Sequence, residues 1–136
     1  MALHYILDTN ICIYIRSRRP AHIRSRFERL EAGEAGLSVI TYGELLFGAE
    51  KSTDRTLAMG RLDELAAVIP VLSLPETAAH AYGAIRARLE AEGQMIANND
   101  LWIAAHARAV GLTLVTSNER EFRRVPGLKL ENWAKA

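Results

Sequence analysis

The stretch NNDLWIAAHARAVGLTLVT, Asn98–Thr116, decides the fold. Its first part reads as a helix: Asn98 or Asn99 stands where a cap is wanted, Asp100 falls in the first turn, and Gly111 supplies a terminator. LTLVT then follows at once as a short apolar strand. A helix feeding directly into such a strand is the repeating unit of α/β architecture.

Working outward, the same alternation recurs. LHYILD, Leu3–Asp8, is an apolar run that suits a strand covered on both faces, and it ends on a carboxylate. Ile23, Phe27 and Leu30 recur at helical spacing between Ala21 and Glu31, with arginines and Glu28 on the other faces. GLSVI reads as a second strand. Thr41 is the expected N-cap of YGELLFGAEK, with Glu44 three residues on as in a capping box. A helix over about 53–67 follows, and the proline in AVIPVLSL argues for a short or edge strand. PETAAHAYGAIRARLEAEG has Pro75 at its start and Gly93 at its end, the usual helix punctuation. VPGLKLENW closes the chain with a loop and a last short strand. The pattern predicts one domain over residues 1–136, a three-layer α/β/α sandwich around a central, mainly parallel sheet.

Bulk properties bound the function. With 136 residues, 49% of them apolar, the chain can bury one sizeable core. Seventeen Lys and Arg against 16 Asp and Glu leave a formal charge of +1, so no global field advertises a nucleic-acid or membrane partner and any such partner must be met locally. The single cysteine, Cys12, excludes an internal disulfide framework and reads as a small buried hydrophobe. MALHYILD lacks a basic leader and a long apolar core, and no run of 18 apolar residues occurs; the expected location is the cytoplasm.

In parallel α/β sheets the strand C-termini and the following helix N-termini converge on one rim. Asp8 ends a strand, Glu44 and Asp100 are expected in first helical turns, and Asn118, Glu119 and Glu121 follow LTLVT. Each acid has a plain explanation at a helix start, worth about 0.3–1 kcal/mol against the macrodipole. Convergence changes the balance: two unpaired carboxylates about 4 Å apart repel by roughly 4 kcal/mol at an effective dielectric near 20. A cation removes that conflict, and oxygen ligands point to a hard ion, Mg²⁺ or Mn²⁺.

ILDTNICIYI, SVITYGELLFGAEKS and IANNDLWIAAHARAVGLTLVTSNEREFRRVPGLKLENW together resemble the PIN-domain toxins of the VapC family, over nearly the whole chain. The resemblance implies an acidic, metal-dependent endoribonuclease held inactive by a cognate VapB antitoxin, with structured RNA, notably tRNA in the anticodon region, as substrate. It places Asp8 on the family's DTN acid, Glu44 on its ELxxG acid and Asp100 on the acid of NDxxIAAHA, the three expected metal ligands. Many PIN domains carry an Asp after the VT strand where this sequence has Asn118. In the subgroup this chain resembles, the Glu of REF joins the site, which nominates Glu121. Thr9 and Asn10 are expected to orient the carboxylates, although a plain turn explains them nearly as well.

The resemblance also implies a homodimer assembled into a higher-order complex with the antitoxin. DNA is then met only through the antitoxin, which is expected to lay apolar side chains near the Ala21–Glu31 and Thr41–Lys51 helices and reach toward the acidic rim. Arginine clusters at Arg16, Arg18 and Arg19 and at Arg120, Arg123 and Arg124 follow candidate site residues, and Arg18, Arg19 and Arg123 are the candidate RNA contacts. His106, six positions after Asp100, lies off the face that paired ligands share and reads as structural. Trp102, Tyr82, Ile85 and Leu89 read as packing or interface residues. Three rivals compete. An aspartyl-phosphate phosphatase wants a second Asp where Asn10 stands. A receiver domain wants an acidic pair near the N-terminus and a late lysine. A PIN-like module that binds RNA or protein without cutting has Asn118 as its one hint.

Overall fold

A computed structural model describes residues 2–17 and 21–134, the side chain of His22 excepted. Arg18 and Arg19, two of the candidate RNA contacts, lie outside the described residues. Strand β1, Tyr5–Leu7, forms the middle of the molecule, and the two-residue period of a strand sends Ile6 and Leu7, both fully buried, into separate cores. Around it a five-stranded sheet runs in the order β3-β2-β1-β4-β5, with every pairing parallel. The outer members are β2, Ala35–Ser38; β3, Val71–Leu72; β4, Thr113–Val115; and β5, Leu130–Glu131. As Pro70 requires, β3 is short and lies at an edge.

Leu7, Leu37 and Val115 face helices α1 (Thr9–Ser17), α2 (Ala21–Glu28), α3 (Val39–Glu50) and α4 (Arg55–Val68), where Ile11, Ile15, Ile23, Leu45 and Leu62 fill the core. Ile6 and Leu114 face α5 (Glu76–Ala91), α6 (Asn98–Val110) and the short α7 (Glu119–Phe122) through Ile85, Leu89, Leu101, Ile103 and Phe122. This is the expected three-layer arrangement, and its sheet is wholly parallel. Among the described residues no helix is long and apolar enough to cross a membrane.

Three helix starts differ from the sequence reading, and the second moves a site residue, Glu44, to another turn. Thr9 and Asn10 do not form a mere turn: Asp8 caps α1, accepting the Asn10 N–H on Oδ1 at 2.8 Å, while its carbonyl accepts the Cys12 N–H at 3.1 Å. Helix α3 starts at Val39, because Ser38 at the end of β2 already caps it by accepting the Ile40 N–H at 3.1 Å. Thr41 is therefore a buried residue inside the helix, with its hydroxyl unpartnered, and Glu44 lies in the second turn with no capping box. Neither Asn98 nor Asn99 caps α6. The cap position is Ala97, whose side chain makes no capping bond, and the two amides are engaged elsewhere. The far end of α6 is as expected, with Gly111 in the left-handed conformation at φ 72°. The second helix also stops short of Glu31, where Gly33 at φ 88° turns the chain into β2.

Candidate active site

The order of the sheet reverses about β1: the chain moves outward to β2 and β3 on one side, then returns to β4 and β5 on the other. Ligand sites of open parallel sheets lie at such a switch point, outside the carboxyl ends of the strands. Asp8 is there. The register sets Leu7 beside Val115, and the Asp8 N–H donates to the Val115 carbonyl at 3.0 Å, so Asp8 and Thr116 leave the sheet as neighbours.

Asp8 is only 6% exposed. Thr116 Oγ1 donates to its Oδ2 at 2.5 Å, and the Asn10 N–H donates to Oδ1. Burial raises its pKa and the repulsion of Glu44 and Glu121 adds to the rise, whereas the Thr116 and Asn10 donors pull the other way; the net direction is upward. Thr116 Oγ1 also accepts the Asn118 N–H at 2.9 Å, which ties the β4–α7 corner to the same carboxylate.

The other three acids gather around it. Asp100 is the third residue of α6, and its pKa is pushed up to about 7, first by burial, then by its hydrogen bond with Glu121 and by the charges of Glu121, Asp8 and Glu44. Glu121 moves the opposite way. Burial raises it, but the Ala97 N–H at 3.1 Å, the Asn118 Nδ2 donor at 2.7 Å, the Asp100 hydrogen bond and nearby Arg124 together hold it below the ordinary range. The two acids thus shift as a pair, Asp100 upward and Glu121 downward. Glu44 receives Thr9 Oγ1 at 2.5 Å and Asn99 Nδ2 at 3.4 Å. Among the described residues none of these four acids has a Lys or Arg ion pair.

Residues 5–128 match the family model of the PIN domain. The sequence is 47% identical over 134 residues to ribonuclease VapC2 of Haemophilus influenzae, across 96% of this chain and 98% of that one. The chain belongs to the VapC family of PIN-domain proteins. Another VapC, from Shigella flexneri and named a tRNA(fMet)-specific endonuclease, is 43% identical across 97% of this chain and 99% of its own. The DNA-bound VapBC complex of Salmonella typhimurium contains a chain that superimposes with a TM-score of 0.91 at 39% identity, covering 97% of this chain and 99% of that one. PIN-domain nucleases are generally dependent on a divalent metal.

The donor set suits a hard cation: carboxylate oxygens from four parts of the chain, two of them with raised pKa, none paired with a base. Among the described residues no three acidic, His or Cys side chains already stand as a ready ligand cluster. What occupies the space between them is the hydrogen-bond network itself, because a carboxylate without a counter-ion turns to a donor or a shared proton.

The sequence reading nominated Asp8, Glu44, Asp100 and Glu121, and this VapC brings all four into one electrostatic neighbourhood. Asn118 and Glu121 are not competitors for one position, since the amide donates to the glutamate. Thr9 holds Glu44, and Asn10 acts on Asp8 through its backbone N–H. Arg123 turns outward, exposed and 3.9 Å from Glu119. His106 is buried, 2.9 Å from Ser38 Oγ, and burial lowers its pKa, as suits a packing histidine. Two participants were missed. Thr116 carried a signal in its place at the end of LTLVT, but its partner depends on which strand lies beside β1. The Ala97 N–H carried none.

Proposed function

We infer that this chain is a VapC toxin: a Mg²⁺- or Mn²⁺-dependent endoribonuclease whose residues 1–136 act as one domain. It works in the cytoplasm on RNA and is silenced by a VapB antitoxin. The observation that carries the reading is the meeting of Asp8, Glu44, Asp100 and Glu121 at the sheet's switch point with no Lys or Arg ion pair among the described residues. The names of the Haemophilus and Shigella relatives support ribonuclease activity, and the Shigella name supports tRNA as the substrate class; the anticodon region is the place of cutting in this proposal. The DNA-bound VapBC complex from Salmonella supports an antitoxin partner; a toxin homodimer within a larger complex and DNA contact through the antitoxin are part of the same proposal.

Asp8, Glu44 and Asp100 would hold the metal in this proposal, which would favour the ionised form of Asp100. A divalent cation bound there supplies positive charge for the phosphodiester and its transition state and makes a water more acidic. Thr116 and Asn10 fix both oxygens of Asp8, and Thr9 fixes Glu44, so neither carboxylate has to reorient when RNA arrives. Glu121, held by Ala97 and Asn118, orients the attacking water and accepts its proton as the new phosphorus–oxygen bond forms in line with the departing ribose oxygen. The residue two after Asp8 offers it only a backbone N–H, which disfavours aspartyl-phosphate chemistry.

The test is incubation with initiator tRNA and with total RNA in Mg²⁺ or Mn²⁺, followed by end-mapping of fragments. Discrete cuts that need metal and vanish in Asp8→Asn support the reading. RNA bound tightly by the wild type and never cut would leave the binding module in its place.

A further inference from the structure

A groove leaves the acidic rim between α1, α3 and α4. At its inner end it is lined by Thr9 and Glu44, and farther out by Ile13, Arg16 and Arg61. It encloses about 280 Å³, and a second hollow of about 460 Å³, lined by Ile13, Arg16, Ser17 and Arg61, continues it outward. The two arginines come from different helices, α1 and α4, and both are exposed. Among the described residues neither has an ion pair, whereas Arg24, Arg26, Arg86 and Arg88 are each held by a glutamate. Arg16 follows Thr9 by two helical turns on one face of α1, a rise of about 10 Å.

That placement answers a difficulty in the proposed function. The rim's carboxylates and the phosphates of RNA have the same sign, and one divalent ion cannot offset four acids and a polyanion together. Cations must stand along the approach, close enough to act and too far to neutralise the acids. Arg16 and Arg61 line the same groove as Glu44, and among the described residues neither forms an ion pair with an acid. The small residues Gly48, Ala49 and Ala58 on the groove wall leave room for a sugar-phosphate backbone.

We propose that Arg16 and Arg61 form a phosphate clamp that grips the RNA backbone beside the cleaved bond and feeds it across Glu44 to Asp8. The proposal rests on the ribonuclease reading above and adds the direction from which the strand enters.

The test measures tRNA binding in an Asp100→Asn background across a salt series, with and without Arg16→Gln plus Arg61→Gln. The double substitution is expected to raise Kd about tenfold at physiological salt and to flatten the plot of log K against log salt by about 1.4, near 0.7 for each lost single-strand phosphate contact. Lys at both positions restores the slope, since charge sets it, and Arg88→Gln on the opposite layer leaves Kd and slope as they were. An unchanged slope overturns the clamp, as does unchanged RNA binding with weakened VapB capture, which would make the groove a peptide site. Wild-type protein that cuts no RNA overturns the ribonuclease reading and the clamp with it; cutting with an unchanged slope overturns the clamp alone.

Discussion

Glu90 on α5 and Glu92 at its C-cap, and Asp100 and Glu121 at the rim, are the same chemistry in opposite circumstances. Along α5 and its cap each glutamate meets an arginine one turn earlier, Arg86–Glu90 at 3.4 Å and Arg88–Glu92 at 3.2 Å, with about half of each side chain in water. Solvent screens such pairs, and they contribute between nothing and about 1 kcal/mol. At the rim the fold surrounds the acids with neutral donors: Thr9, Thr116, Asn118 and the N–H groups of Asn10 and Ala97. Neutral donors orient a carboxylate without cancelling its charge, so the repulsion persists and is expressed as protonation. The surface acids serve solubility, whereas the rim acids are a cost to folding that the proposed cation would reverse.

The sharpest way to break this contrast is to remove one rim charge. Asp100→Asn is expected to lower RNA cleavage by at least about 10²–10³-fold, the scale of losing one preorganised electrostatic group, while the metal-free protein melts at the same temperature or higher. Cleavage surviving in a variant with native circular dichroism would show that Asp100 serves only the fold.

The next effect is in pH. The pKa of Asp100 rises on folding from its ordinary 3.8 to about 7, so between those values the folded state holds a proton that the unfolded chain has released. Its stabilising contribution is complete below pH 4 and is lost as pH climbs through 7. Asp8, also raised, acts in the same direction, and Glu121, lowered, opposes them. Melting temperature in EDTA should therefore decline from pH 5 to pH 8, and Asp100→Asn should flatten the decline. Because protons and metal compete for the same oxygens, Mg²⁺ should raise Tm more at pH 8 than at pH 5. Equal shifts at both pH values would place the metal away from these acids.

Thr116→Val probes the neutral donors directly. The substitution keeps the shape of a fully buried side chain but deprives Asp8 of a donor and the Asn118 N–H of its acceptor. About 1–3 kcal/mol of stability should be lost in chemical denaturation, and cleavage should fall by about 10–100-fold through a misplaced Asp8. Restoration by Thr116→Ser would separate hydroxyl chemistry from packing.

How much of this was legible follows from the same contrast. Acids next to strand ends and helix starts are written in local order, so Asp8 and Asp100 and the alternation of layers could be read from spacing, whereas the choice of Glu121 over Glu119 rested on the family resemblance. Caps were harder. Ser38 and Thr41 are three residues apart and equally suited to begin α3, and the choice depends on where β2 stops pairing with β3. Missing it placed Glu44 in the wrong turn without removing it from the site. Thr116 and the Ala97 N–H were less accessible, because a donor's partner is set by sheet order and by the path of the loop before α6, and neither leaves a periodic trace. Arg61 belonged to no visible cluster in sequence; only the packing of α4 beside α1 brings it to Arg16.

The smallest effect tests the other half of the comparison. Arg88→Ala removes the partner of Glu92 in the last turn of α5, where the positive charge also complements the helix dipole. Both losses occur in water, and alanine returns a little helix propensity, so the net change in unfolding free energy should stay within about 0.5 kcal/mol, with cleavage unaffected. Raising salt to 1 M should erase even that difference, since the Debye length then shrinks to about 3 Å. The rim should respond differently, because Asp8 is 6% exposed and Asp100 half-buried beside it; the pH slope assigned to Asp100 should largely survive in 1 M salt. A surface pair that proved worth several kcal/mol, or a rim slope that disappeared in salt, would mean that burial does not divide the two sets of acids.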